Sequence, residues 1–141
     1  MKNSLILFTA LVLSIGHATA SEFIFSCVTD NGKLVKVVKD GDQAIYELYN
    51  KNNKIEFSLK NKITSMNIVF SEPDGSEITT SVPFKNGAFI YDVFTSTDRL
   101  TEEHPSQSGV VVSKDNVLLV NLKCKNDSIK GNLLDIDAEL Q

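Results

Sequence analysis

From residue 21 onward, hydrophobic and polar positions alternate with a period of two in short runs, separated by Asn, Asp, Gly and Pro. A period of two belongs to a half-buried strand, because successive side chains point to opposite faces. Phe23, Phe25 and Cys27 fall on one face of a first strand, closed by Asp30-Asn31-Gly32, whose Asn and Gly tolerate positive φ. Lys33 to Lys39 returns, Asp40-Gly41-Asp42 turns again, and Ala44 to Tyr49 is a third strand. Ile55, Phe57 and Leu59 alternate with Glu56, Ser58 and Lys60, the cleanest such pattern in the chain. Met66, Ile68 and Phe70 predict a fifth strand, and Pro73-Asp74-Gly75 a turn. Glu77 to Phe84 follows, where Pro83 has no N–H for a ladder and marks an edge, a bulge or a strand end. After Asn86-Gly87, Ala88 to Thr95 places Phe89, Tyr91 and Val93 on one face.

The alternation stops at Ser96. Ser96 to Ser108 holds one leucine among thirteen residues and reads as a long loop. Gly109 to Ser113, the Lys114-Asp115-Asn116 turn and Val117 to Cys124 then form a hairpin, with Leu118, Val120, Leu122 and Cys124 on one face. Lys125 to Asn132 reads as a loop. Leu134, Ile136, Ala138 and Leu140 alternate with Asp135, Asp137 and Glu139 as a closing strand, a short helix being the alternative. Many short strands joined by tight turns predict one all-β domain over residues 21–141. The expected form is a small antiparallel β-barrel, with a two-sheet β-sandwich as the alternative.

The first twenty residues stand outside that pattern. Lys2, the apolar run Leu5 to Ile15 and Ala18-Thr19-Ala20 have the layout of a cleaved signal peptide, with the mature chain starting at Ser21. The run falls short of the about 20 residues that a membrane-spanning helix needs, so no stable membrane anchor is expected. Export to the periplasm or beyond changes the meaning of Cys27 and Cys124, the two cysteines of the chain. Disulfides persist in oxidising compartments, so the pair is expected to form one intramolecular bridge. Two free thiols, an intermolecular bond and a metal site are the alternatives, and one mature histidine makes the last a poor zinc set. Two paired strands carrying these cysteines near either end of the domain favour a closed barrel.

Charge narrows the partner. Without Lys2 the chain has 13 basic and 18 acidic residues, a formal charge of −5, which speaks against a nucleic-acid groove and suits a cationic protein. No serine stands in G-x-S-x-G, no glycine-rich phosphate loop is present, and the acidic string Asp135, Asp137, Glu139 lacks the rest of a calcium loop. No catalytic residue, metal site or cofactor is expected. The polar stretch is the exception to this plainness, since loops of such length are often functional. It carries Asp98, Glu102, Glu103, His104 and the chain's sole arginine, Arg99, whose planar fork suits interfaces. These five are the candidate partner-binding residues.

Phe25-Ser26-Cys27 near the mature start, a late Cys124 and Ser106-Gln107-Ser108-Gly109 together resemble the periplasmic C-type lysozyme inhibitors. The plan also resembles that of uncharacterised small exported all-β proteins of bacteria. The inhibitor resemblance implies a small barrel in which a Ser-Gly segment enters the lysozyme cleft, adding Ser108 and Gly109 to the candidates. Val112 stands where that family has a tyrosine, and this chain has no tryptophan. The functional expectation is a non-enzymatic protein-binding domain, and the resemblance implies an inhibitor of a lysozyme-like cell-wall enzyme. A periplasmic immunity protein against a delivered toxin and a barrel for a small apolar ligand are the alternatives. Oligomeric state is left open.

Overall fold

The computed structural model describes residues 20–71 and 75–137. The leader expected at residues 1–20 lies, apart from Ala20, outside the described residues, as does most of the Pro73-Asp74-Gly75 turn. Strands β1 (Glu22–Val28), β2 (Leu34–Asp40), β3 (Gln43–Tyr49) and β4 (Ile55–Lys62) form an antiparallel meander. A second meander holds β5 (Val69–Phe70), β6 (Glu77–Asn86), β7 (Phe89–Asp98), β8 (Ser106–Lys114) and β9 (Val117–Lys123). The chain then returns to the first sheet as β10 (Lys130–Gly131), which pairs with β1. The result is two five-stranded sheets in the orders β10-β1-β2-β3-β4 and β5-β6-β7-β8-β9.

The sheets pack through the faces that alternation predicts. Val35, Val37, Ala44 and Tyr46 of the first sheet and Val82, Phe84, Val93 and Val110 of the second are fully buried in one core. Tyr46, Phe57, Phe84 and Tyr91 fill the middle as a ring cluster, with centroids 4.9–6.3 Å apart. Such offset and edge contacts add to the area term of the burial itself. Burial holds the Tyr46 hydroxyl neutral by pushing its pKa up.

The expected closed barrel is instead the open two-sheet sandwich, and both gaps have a residue-level cause. Between β4 and β6, Pro83 removes a ladder donor just beyond the end of β5. Two residues on, the Lys85 N–H facing the same way is met by a side chain, the Asn61 amide oxygen (2.7 Å). Asn61 also donates to the Lys85 carbonyl (3.3 Å), so one amide replaces a ladder. At the other gap, a single bridge joins Thr29 to Cys124. The Cys27–Cys124 disulfide sits beside it, with Cα atoms 5.7 Å apart and 97 residues of separation. The expected intramolecular bridge is therefore present, but it joins two sheets instead of closing a barrel.

The returning chain supplies the bonds along the β1 edge. Asp30 N–H bonds to the Lys123 carbonyl (2.9 Å) and Lys125 N–H to that of Val28 (2.8 Å). Val28 N–H reaches the Ser128 hydroxyl (2.9 Å), a side chain standing in for backbone. Phe25 and Ser26 pair with Gly131 and Lys130, and Asn132 N–H closes on the Ile24 carbonyl (3.0 Å). Gly131 has φ 80° and lies so close to the Ile24 carbonyl that any Cβ would collide with it. The stretch read as a loop thus supplies the closing strand.

The residues read as the closing strand do something else. Leu133–Ile136 is a 3₁₀ helix, capped by the Asn132 side chain accepting from Leu134 N–H (3.1 Å). It packs against β1 and β6, and Leu133 and Ile136 are fully buried between the sheets. Burial of such side chains is worth about 1.5–3 kcal/mol each. Ala138, Glu139 and Leu140 lie outside the described residues.

Besides a register shift between Leu48 and Tyr49 in the β3–β4 pair, two further bulges re-aim side chains. One between Phe23 and Phe25 buries Phe25 and Cys27 but turns Phe23 outward opposite Val38. The other lies in the β8–β9 pair, where Val112 opposes Val120 and Ser113 opposes Leu118, leaving Leu119 as the extra residue. Leu118 is thereby moved off the face of Val120 and Leu122, which the alternation alone had assigned it.

Candidate functional site

The long polar stretch is mostly sheet. β7 continues to Asp98 and β8 begins at Ser106, with Thr95, Ser96 and Thr97 paired to Ser108, Gln107 and Ser106. Only residues 99–105 form the hairpin tip. Here the strands are polar, and hydroxyl contacts link them: Thr97 to Ser106 (2.9 Å), Thr79 to Ser96 (3.0 Å) and Ser96 to the Glu77 carboxylate (2.8 Å).

Local hydrogen bonds shape the tip. The Asp98 carboxylate accepts from Leu100 N–H (2.8 Å), an Asx turn that starts the reversal. Asp98 N–H reaches the Pro105 carbonyl (3.0 Å), and Arg99 N–H reaches Ser76 (2.8 Å), tying the tip to the entry of β6. His104 takes a left-handed φ of 44°. Its Nδ1 lies 3.1 Å from the Asp98 carbonyl, so that nitrogen is the donor and carries the proton. Asp98 and His104 thus build the turn, while Arg99, Glu102 and Glu103 are exposed on it. Leu100 stands among them at 78 % exposure, a residue the charge-based choice of candidates passed over.

Ser108 and Gly109 do not join this group. Both are buried within β8, paired to Thr95 and Phe94. Gly109 is there because a side chain would strike the Leu122 carbonyl, and the Phe94 ring lies over the vacant space. The two residues taken from the inhibitor resemblance are therefore architectural positions and not a projecting segment. Ser108 nevertheless helps to line a cleft of about 250 Å³, together with Asp30, Gln107, Asn121, Lys123 and Asn126. A neighbouring cleft of about 240 Å³ shares Asp30, Asn121 and Lys123 with it. Nothing in the sequence pattern groups these residues, because four separate segments supply them.

Elsewhere the chemistry is sparse. Among the described residues no three His, Cys, Asp or Glu side chains converge as a metal set, and both cysteines are consumed by the disulfide. Asp92, on the outer face of β7, has its pKa raised by burial, opposed in part by the Ser81 hydroxyl that donates to it (2.5 Å). No helix among the described residues is long and apolar enough to cross a membrane.

The fold and the tip together define a disulfide-stapled, two-sheet β-sandwich with a projecting charged hairpin. No protein-family model, curated protein or solved structure matches the chain.

Proposed function

We propose that this chain is an exported, non-catalytic protein-binding domain that blocks a lysozyme-like cell-wall enzyme with its β7–β8 hairpin tip. The observation that carries the reading is the tip itself. It presents an exposed Leu100 between Arg99 and the Glu102–Glu103 pair on a turn braced by backbone bonds. An apolar anchor ringed by charge is the composition of a recognition surface. A preformed turn loses little conformational freedom on binding. The −5 charge of the chain from Ser21 complements cationic lysozymes and steers encounter in a salt-dependent way. The ring-filled interior supports binding at the surface and not inside the sandwich.

The test is lysis of cell-wall suspensions by a panel of lysozymes with the purified protein added. Slowed lysis is expected, and the combined Arg99→Ala, Glu102→Ala, Glu103→Ala variant should weaken inhibition by about tenfold or more while melting like the parent. Leu100→Ala should weaken it further. Unslowed lysis across the panel overturns the inhibitor reading.

A further inference from the structure

The β9 border carries an apolar run that the core does not use. Val117, Leu118, Leu119 and Val120 are 61, 61, 50 and 43 % exposed, four consecutive residues on the last strand of the second sheet. Contiguous exposed apolar surface of this kind marks an interaction site, and an uncovered edge strand adds unpaired backbone groups to it. The bonds that β9 makes to the first sheet begin only at Lys123.

We infer that this border is the contact between two copies of the chain, packed antiparallel across a two-fold axis near Leu119 and Val120. The charges at its ends select that occupant. Asp115 stands in the turn before the strand, Lys123 and Lys125 stand at its far end, and residues 116–122 carry no charge. Lys114 is drawn aside, its Nζ lying 5.3 Å from the centroid of the Phe89 ring. An antiparallel pair therefore sets Asp115 of each copy beside the Lys123–Lys125 end of the other, twice per dimer, with the apolar run against itself. A parallel pair would set like charges together.

The geometry also limits the assembly to two. An isologous contact uses its own surface up and closes. The opposite border of the same sheet is β5, two residues long, and offers no second template. The bulge at Leu119 further interrupts the regular ladder that an open-ended stack would require.

Sedimentation velocity on the exported protein over a range of concentrations tests this independently of any lysozyme assay. A concentration-dependent dimer is expected for the parent. Leu118→Lys with Leu119→Lys should leave the melting temperature unchanged within about 2 °C, since both side chains are exposed, and leave only monomer. Asp115→Lys should raise the dimer dissociation constant about tenfold. Adding Lys123→Asp and Lys125→Asp to it should restore dimerisation, which loss of packing alone would not allow. A parent that stays monomeric at high concentration, or a dimer untouched by the Leu118 and Leu119 changes, overturns the inference. Failure here leaves the hairpin-tip reading standing, and the converse holds equally.

Discussion

β4 and β9 each end a five-stranded sheet. Along β4 the border is charged. Glu56, Lys60 and Lys62 pair with Lys33, Asp40 and Asp42 at 2.7, 3.5 and 3.4 Å, and polar residues alternate with the core-facing Phe57 and Leu59. Along β9 the corresponding positions are Val, Leu, Leu and Val. Exposed ion pairs of the β4 kind contribute little to folding stability. Their value at an edge is to make strand addition unfavourable. One chain thus guards its first border with charge and leaves the second apolar.

The borders also differ in how they are held to the opposite sheet, and that difference gives the largest expected effect. The β9 side has a covalent tie. Replacing Cys27 and Cys124 with alanine should cost about 4–5 kcal/mol by the chain-entropy relation for so long a loop, read from the urea midpoint. An unchanged midpoint would show that the Thr29–Cys124 bridge and Ser128 hold the seam unaided. The β4 side has one amide. Asn61→Ala leaves Lys85 N–H without its partner and should cost about 1 kcal/mol, since that seam is solvent-exposed. A loss as large as that of the cysteine variant would mean the two seams are equal partners.

A smaller contrast lies on the outer faces. In the first sheet the Tyr49 hydroxyl donates to Glu47 (2.6 Å), and this bond, then burial, raises its pKa to about 12. Its contribution is present below the ordinary tyrosine value and is lost as pH rises through about 12. In the second sheet burial raises the Asp92 pKa, so its contribution is present in acid and is lost as pH rises through that raised value. Asp92→Asn keeps an acceptor for Ser81 and removes the charge. The variant should melt slightly higher than the parent at neutral pH and should show a flatter stability profile from about pH 4 upward. A lower melting point at neutral pH would mean that the carboxylate is held by a favourable interaction.

The strands that one face buries were legible. Phe57 and Leu59 read correctly because both pack on the core, while Ile55, expected on the same face, is exposed beside the register shift between Leu48 and Tyr49. The cysteines read correctly because two remote thiols in this pattern have one simple use. Three features hid for physical reasons. Thr95 to Thr97 and Ser106 to Ser108 pair as strands while hydroxyls join them, so no apolar period marks them. Lys130–Gly131 closes β1 through backbone bonds, which leave no trace in side-chain type. The bulge at Leu119 breaks the alternation of β9, and the run of four apolar residues was the available sign that a simple half-buried strand did not fit. At the candidate site, charge pointed to Arg99, Glu102 and Glu103 on the tip. It was silent on Leu100, and the Ser108–Gly109 match concerned a position inside the sheet.

The closure of β1 by the returning chain has a consequence for the order of synthesis. The first strand to be made is among the last to be sealed. Its Cys27 precedes its partner by 97 residues, and the remaining bonds along that edge come from Lys125, Ser128, Lys130, Gly131 and Asn132, later still. A chain cut short before Cys124 therefore carries an open strand edge and an unpaired thiol together. The fold reports its own completion: both signs of immaturity vanish when the final segment arrives.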